Sequence, residues 1–442
     1  MKFFYFFLIL VFLQNCSFDD KSGIWKNSSK VTSNKEKRYK DFKKIVYENE
    51  NFFNQSKPID KKFEFTLTPP KSPKMWNNFY FNESNNFDNF SYNDSNQLIF
   101  QSGKVSRHLI SNDILFINDL LITSDSKGNI IVYSLKNKKI LHKYNFYKKK
   151  YKDLEKKLNI IIEDSLLYVS DNFGYLYVYD YFLNKIKWAK KFNAPFRSNM
   201  KIKKNKLFLA DENNTLLIIN SSNGNILRKI PTEQMLVKNN FVSNISMSDN
   251  SIFFINTFGS LYSIDAKSLK MNWFLNLNTS IDINLDNLFY SSEIKINNNN
   301  LTILTKNFLH VFNHLDGSMI FKIPINTLIP PIINNEYIFL VNNNNYLISI
   351  KLTTGEIIYS YELDELISNF LGSKKKKTYI KFIKIINNQI FIFLNNSYIV
   401  KLSTYGVVKD ITKLPRKINS NPIFIDETMI YLSKNNKFVI LN

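Results

Sequence analysis

Two histidines and two aspartates are the residues whose types and spacing come nearest to metal or acid–base chemistry. His310 and His314 stand four residues apart, a spacing that brings two imidazoles to one face of a helix, where they could bind a metal ion. The local pattern predicts a strand and a turn, on which this spacing does not converge. Asp180 and Asp265 each come directly before a turn, where an aspartate more often caps the turn than acts as a base. We therefore predict no metal, no cofactor and no catalytic residue.

The single cysteine of the chain points to a different chemistry. Lys2 is followed by an apolar run over 3–13 and then by Gln14, Asn15 and Cys16. This run is too short to span a bilayer as a helix, but it matches the apolar region of an export signal. We predict a signal peptide over residues 1–15, and a resemblance to bacterial lipoproteins implies that Cys16 is diacylated and becomes the mature N-terminus. Gln14 and Asn15 stand where small residues are usual, so an export signal with an incidental cysteine is the alternative.

The net charge gives less information about partners than its size suggests. The chain has 59 Lys and Arg against 37 Asp and Glu, a formal charge of +22, which at first indicates an anionic partner. The lysines are scattered, however, and the densest runs, 148–150 and 374–377, fall between repeated units. We interpret these runs as solvated loops and expect no nucleic-acid partner.

Repeated units of short strands position all of these residues. In residues 166–191 an apolar strand, a turn at Gly174, a second strand, a polar turn and a third strand containing Trp188 follow one another. A unit of this kind cannot bury its own apolar face and has to pack against copies of itself. The copies have central turns near Gly128, Gly174, Asn214, Gly259, Asn307, Asn344, Asn396 and Asn436. Their spacing of roughly 40 to 50 residues is that of a four-stranded propeller blade.

The two ends of the repeated region complete one another. Leu98–Gln101 is a lone strand, and the chain closes on a shortened unit over 429–442. Joining them removes the strand edges that would remain exposed at the seam. We therefore predict an all-β, eight-bladed β-propeller of four-stranded antiparallel blades over residues 95–442, with the last blade closed by an N-terminal strand. Residues 16–94 are predicted to be a flexible tether to about Pro73, followed by an aromatic segment around Trp76 that packs on the propeller.

The ends of two repeated units, residues 178–188 and 263–273, resemble the pyrroloquinoline-quinone-type propeller repeat. Asp180 with Trp188, and Asp265 with Trp273, match its aspartate, turn and terminal tryptophan. The resemblance implies that each tryptophan docks between neighbouring blades. The predicted structural signature is Gly128, Gly174, Asp180, Trp188, Gly259, Asp265 and Trp273.

An eight-bladed propeller of this type behind a lipoprotein signal resembles the BamB family. That resemblance implies a non-enzymatic scaffold, lipid-anchored at the periplasmic face of the outer membrane, that docks the barrel-inserting subunit of the β-barrel assembly machinery and unfolded outer-membrane substrates. In the family, the loop into the third blade presents an apolar residue and an arginine, which here are Phe196 and Arg197. An acidic pair that makes the second contact is replaced by Asn240 and Val242. The alternative is that Phe196 covers the edge of the core and Arg197 is solvated.

Propellers of this repeat class also include quinone-dependent dehydrogenases. Those enzymes need calcium, a base and an apolar floor and ceiling for the quinone, and many use a vicinal cysteine pair. This chain has one cysteine, and two of its four tryptophans, Trp25 and Trp76, lie outside the repeats. A periplasmic dehydrogenase-like protein that depends on pyrroloquinoline quinone is therefore the alternative to the scaffold.

Overall fold

The computed structural model describes two separate compact units. The first unit, Met1–Ile45, is described only at the backbone of two paired strands, Cys16–Phe18 and Trp25–Asn27. The second unit is described over residues 53–111, 113–147, 151–234, 242–278, 289–327 and 329–442. The predicted signal peptide and the Cys16 side chain lie outside the described residues. Among the residues described, no helix is long and apolar enough to cross a membrane.

Eight sheets form the propeller of the second unit, and we number them as blades 1 to 8, with the four antiparallel strands of each blade called first to fourth. The sheet of blade 7 has a fifth, parallel strand, Asn89–Phe90. The strands are Leu115–Ile117, Leu120–Ser124, Asn129–Ser134 and Lys139–Asn145 in blade 1; Leu158–Glu163, Leu166–Asp171, Tyr175–Asp180 and Lys185–Lys191 in blade 2; Lys201–Lys203, Lys206–Ala210, Leu216–Asn220 and Ile226–Ile230 in blade 3; Asn244–Met247, Ser251–Ile255, Ser260–Asp265 and Met271–Asn276 in blade 4; Lys295–Asn297, Asn300–Leu304, Phe308–Asn313 and Met319–Pro324 in blade 5; Ile332–Asn334, Tyr337–Val341, Tyr346–Lys351 and Ile357–Glu362 in blade 6; Ile380–Ile386, Gln389–Leu394, Tyr398–Ser403 and Val408–Lys413 in blade 7; and Ile423–Ile425, Thr428–Leu432, Phe438–Leu441 and Leu98–Gln101 in blade 8. Helix α1, Leu363–Leu371, connects blades 6 and 7.

Burial follows the position of a strand in its blade. The second and third strands are almost wholly buried, as in Leu120–Ser124, because both faces of each blade pack against neighbours. Most fourth strands are more exposed, and in Lys185–Lys191 every second residue is exposed; the fourth strand of blade 6, Ile357–Glu362, is the buried exception. The first strands of blades 2 to 7 contact one another in order around the ring. The first strands therefore surround the axis, and the fourth strands form the rim.

The predicted closure of the ring is confirmed. Val439 pairs with Gln101 and Ile440 with Phe100, so the N-terminal strand is the fourth strand of blade 8. Phe438 and Phe100 both pack against Tyr133 of blade 1, with ring centroids 5.6 and 6.2 Å apart. Blade 8 therefore joins blade 1, and the eight-bladed all-β prediction is confirmed, with α1 as one described helix.

The segment before the propeller differs from the predicted tether. The described chain is already packed at Phe53, which is 1% exposed within the core shared by blades 5 and 6. Lys57 bridges to Ser360 in blade 6, and the ring of Phe65 lies 4.8 Å from that of Tyr337. Single aromatic residues set among polar ones make these contacts. The segment therefore has the composition of a linker, although it packs against the propeller.

Candidate functional site

Residues 73–93, which we call the axial plug, run past the inner edge of every blade. Backbone or side-chain groups of the plug bond to the first strand of blades 1 to 7 and to the turn after the first strand of blade 8. The contacts are Trp76 N to Phe116 O (2.8 Å), Ile162 N to Asn77 O (2.8 Å), Lys201 Nζ to Asn82 O (2.8 Å), Met247 N to Glu83 O (2.9 Å), Ile296 N to Ser84 O (3.0 Å), Asn86 Nδ2 to Ile333 O (3.0 Å), the parallel pairing of Asn89–Phe90 with Ile385 and Ile386, and Asn93 N to Glu427 O (3.0 Å). The plug therefore supplies partners for backbone groups that the inner edge of a propeller leaves unpaired.

An aromatic cluster holds one side of the plug against blades 8 and 1. Trp76 is 1% exposed, and its ring lies 4.7 Å from Phe81 and 5.2 Å from Phe90. Phe90 is fully buried and stacks on Phe424 of blade 8 at 5.6 Å. Burying an aromatic side chain of this size contributes about 1.5–3 kcal/mol. The cluster therefore makes the plug part of the propeller core.

Three buried lysines of alternate blades face the plug. Lys201, Lys295 and Lys384 come from the first strands of blades 3, 5 and 7, and each is at most 2% exposed. Their ammonium groups lie near plug rings, with Lys201 5.7 Å from Tyr80, and Lys295 and Lys384 5.7 and 3.0 Å from Phe87. Burial lowers the pKa of all three lysines, and it lowers that of Lys201 to about 8. These lysines were not among the predicted site residues, although a lysine next to isoleucine recurs at this place in the three blades.

A cavity of about 430 Å³ opens at the end of the channel where the first strands begin, and Phe79 and Tyr80 of the plug line it. Its charged groups are Asp113, just before blade 1, and Glu293, just before blade 5. Burial raises the pKa of Asp113 to about 6. Burial also raises the pKa of Tyr80, and Glu293 and Asp113 add to this effect. The cavity is therefore polar, with a tyrosine between two carboxyl groups.

These donors do not fit a calcium-bound quinone. Calcium takes six to eight oxygen ligands, whereas the two carboxylates come from blades 1 and 5, on opposite sides of the ring. Glu293 is also paired with Lys295 at 3.4 Å. Within the described ranges, no group of three or more His, Cys, Asp and Glu residues could hold a metal ion.

The histidine pair is placed as the strand pattern predicts. His310 lies on the third strand of blade 5, where its Nε2 faces Thr305 Oγ1 at 3.2 Å and its ring stacks on Phe312. His314 lies in the following turn, 5.7 Å from the ring of Phe253. Burial lowers the pKa of His310 to about 4. The two rings have different partners and form no pair.

The predicted repeat residues lie at the joints between blades. Nε1 of Trp188 in blade 2 donates to Ser221 O in blade 3 at 3.0 Å, and Nε1 of Trp273 in blade 4 donates to His314 O in blade 5 at 3.1 Å. Oδ1 of Asp180 and of Asp265 each accepts two backbone N–H groups of the following turn. Gly128, Gly174 and Gly259 lie in turns between second and third strands. All seven residues therefore lie in turns or in contacts between blades.

A related contact was missed in the sequence. The tryptophans pack on Gly224 and Gly317 of the next blade, and Phe321 and Tyr361 pack in the same way on Gly355 and Gly406. In each case a turn glycine follows, one blade later, an aromatic residue on a fourth strand. An aromatic residue on a fourth strand, followed one blade later by a turn glycine, was the sequence signal that could have predicted this contact.

The predicted docking loop is folded inward at its aromatic residue. Phe196 is 4% exposed, packs in the core between blades 2 and 3, and lies 5.2 Å from the ring of Phe192. Its N–H donates to Asp171 O at 3.1 Å. Arg197 is partly exposed, Val242 is 53% exposed, and Asn240 lies outside the described residues. Phe196 therefore covers the edge of the core and is not the exposed aromatic that the hot-spot interpretation assumed.

A cleft of about 450 Å³ adjoins this loop between blades 2 and 3. Asn193 and Ala194 of the loop line it, together with Lys190, Lys191 and Lys229. The basic rim is next to the loop that carries Arg197. The cleft therefore has three lysines and one buried carboxyl group, that of Asp211, in its lining.

Comparisons with known proteins agree with the architecture. A family model described as "Outer membrane protein assembly factor BamB" matches residues 154–361. No curated protein sequence matches the chain.

Solved structures with the same fold have low sequence identity to the chain. BamB from Moraxella catarrhalis superposes with a TM-score of 0.62 at 11% identity, over 78% of this chain and 99% of that one. The computationally designed Ika8 protein gives 0.57 at 11% identity, over 78% and 99%. A europium-containing methanol dehydrogenase gives 0.58 at 11% identity, over 84% and 89%. This chain is therefore an eight-bladed propeller of pyrroloquinoline-quinone-type repeats that resembles the outer membrane protein assembly factor BamB.

Proposed function

We propose that this chain is a non-catalytic scaffold of the outer-membrane β-barrel assembly machinery, which docks the barrel-inserting subunit. The observation that carries the proposal is the axial plug, whose bonds reach all eight blades. Because the plug is part of the core, the rim and the loops are the surfaces that remain for binding a partner. The match of residues 154–361 to the assembly-factor model supports the same role.

The docking site that we propose is the 193–199 loop with the cleft beside it. Because Phe196 is buried, its part is to hold the loop in shape. Arg197 and the basic rim of Lys190, Lys191 and Lys229 then make the contact. A basic rim fits an acidic partner surface, and charge complementarity speeds association and selects the partner.

Unfolded outer-membrane substrates are the second partner that we propose. The fourth strand of blade 3 is the outermost strand of its sheet, and an extended chain can add to such an edge through its backbone. Ile226–Ile230 of blade 3 is the most accessible, since four of its five residues are exposed. This strand borders the same cleft, because Ile226 and Lys229 line it.

The anchor that we propose is lipid on Cys16, with the protein at the periplasmic face of the outer membrane. One acyl chain gives only marginal membrane residence, whereas two or more hold a protein firmly. Replacing Cys16 with Ser should therefore release the protein into the soluble periplasmic fraction. Membrane retention of this variant would mean that the apolar run or a partner holds it.

The experiment for the scaffold is affinity purification of the full chain from cross-linked cell envelopes. We expect the barrel-inserting subunit among the recovered proteins, and its absence would contradict the proposal. The alternative, a quinoprotein dehydrogenase, has support from the methanol dehydrogenase superposition. Dye-linked turnover after addition of quinone and calcium would favour that alternative.

A further inference from the structure

We infer that the tip of helix α1 is a membrane-contact surface for anionic lipid. We call this surface the helix tip and define it as Phe370, Leu371, the four lysines at 374–377, and Tyr379. Phe370, Leu371 and Tyr379 are 47%, 55% and 64% exposed, and all four lysines are exposed. Aromatic and aliphatic side chains beside lysines match the boundary between lipid headgroups and acyl chains.

The loop that carries the lysines is held in place at both ends. Helix α1 ends at Gly372, whose φ is 58°, and the next residue, Ser373, donates its N–H to Ser368 O at 3.0 Å. At the other end, the N–H and Oγ1 of Thr378 donate to Oδ1 of Asp364 at 2.9 and 2.6 Å. A loop that is hydrogen-bonded at both ends thus holds the lysines beside the helix.

Charge favours a lipid surface at this end of the helix. Of the two acids of α1, Asp364 is buried, and Glu365 lies in the first turn, near Lys375 but at the opposite end of the helix from Phe370. Lys375 is paired with Glu362, whereas the lysines at 374, 376 and 377 add positive charge beside the apolar tip. A lysine can bury its stem while its ammonium group reaches the headgroups. An acidic protein surface would not need the exposed Phe370 and Leu371.

The path of the chain places its N-terminal entry at the same turn as the helix. Nδ2 of Asn342 donates to Phe53 O at 3.1 Å, and Nδ2 of Asn344 donates to Asn54 Oδ1 at 2.9 Å. One residue further along this turn, Asn345 O accepts the N–H of Leu363, the first residue of α1. The described chain thus enters the propeller next to the first turn of α1, on the same side of blade 6 as the helix.

The test is a fluorescence reporter in the full chain. Phe370→Trp places an indole at the tip, and Phe182→Trp places one at a turn of blade 2 where Phe182 is 58% exposed. With vesicles that contain phosphatidylglycerol, the emission of the Phe370→Trp protein should shift to the blue and be quenched by brominated acyl chains. The Phe182→Trp protein should show neither change. Quenching that is equal at both positions would overturn the inference.

Charge variants in the Phe370→Trp protein test the part played by the lysines. Lys374→Gln with Lys376→Gln and Lys377→Gln should raise the vesicle concentration for half-maximal shift at least about tenfold at low salt. Neutralising Lys136, Lys138 and Lys139, which are exposed in blade 1, removes the same charge elsewhere and should have little effect.

Three further outcomes would overturn the inference. The first is an equal loss in both charge variants, and the second is an equal shift with pure phosphatidylcholine. The third is a blue shift that depends on protein concentration without vesicles, which would assign the tip to a second copy of the chain. Vesicles contain no assembly subunit, so failure here and failure of the scaffold proposal are separate results.

Discussion

The indole of Trp188 in blade 2 contacts Gly224 in blade 3, and its Nε1 donates a 3.0 Å hydrogen bond to Ser221 O in the same turn. The fourth strand of one blade thereby fixes the last turn of the next. Gly224 has a φ of 70°, and a Cβ placed there would lie 2.7 Å from Cζ3 of Trp188.

Gly224→Ala should therefore destabilise the propeller by about 1–3 kcal/mol, because it combines backbone strain with overpacking against the indole. Urea unfolding of the full chain measures the change. Gly103→Ala is the matched control, since no heavy atom lies within 4 Å of a Cβ at that position. Equal midpoints for the two variants would mean that the contact contributes nothing.

Phe90→Ala should cost about 3–5 kcal/mol, because it opens a cavity among Trp76, Phe81 and Phe424. The free energy of unfolding and the exchange protection of the Asn387 amide should fall together, since Asn387 N donates to Phe90 O at 2.9 Å. Met75→Ala, at a position 51% exposed beside the same cluster, should change stability by less than about 0.5 kcal/mol. A protein with an unaltered unfolding curve after Phe90→Ala would show that the plug is not part of the core.

Truncation after Asn435 should lower stability by several kcal/mol, because it removes Phe438–Leu441 and leaves Leu98–Gln101 without a partner. The melting temperature of the full chain and of the truncated chain gives the comparison. Ile99→Ser, on the same strand pair at a position 57% exposed, should leave the melting temperature nearly unchanged. A truncated chain that melts with the parent would refute closure through this strand.

Stability should rise between pH 8 and pH 10 through Lys201. Burial lowers the folded-state pKa of Lys201 to about 8 from 10.5. Within that interval the unfolded chain binds more protons than the folded chain, so the free energy of unfolding increases with pH. Lys201→Met should reduce this rise, whereas Lys204→Met, at an exposed position of the adjacent turn, should keep it. Identical pH profiles for the parent and Lys201→Met would show that Lys201 does not titrate there.

The repeat architecture could be predicted because each blade repeats the same signals. Apolar runs, turn residues and a roughly constant period indicate the blades, and the lone strand Leu98–Gln101 indicates the closure. The packing of the segment around Trp76 on the propeller was predicted, but the path of the axial plug past every blade could not be, because its contacts use backbone carbonyls and amide side chains such as Asn86. Such residues have the composition of a linker and no period. The burial of Phe196 could not be predicted from the sequence either, since an aromatic residue in a loop has the same sequence pattern whether it is exposed or buried.

We propose that the propeller binds the barrel-inserting subunit through the region between blades 2 and 3. The direct measurement is the dissociation constant of the full chain for the purified subunit of the same organism, by surface plasmon resonance. Arg197→Glu should weaken binding at least about tenfold, which corresponds to about 1.4 kcal/mol. Arg107→Glu, an equal charge reversal at an exposed position before blade 1, should bind like the parent. A parent chain that does not bind, or two variants with the same dissociation constant, would contradict the claim.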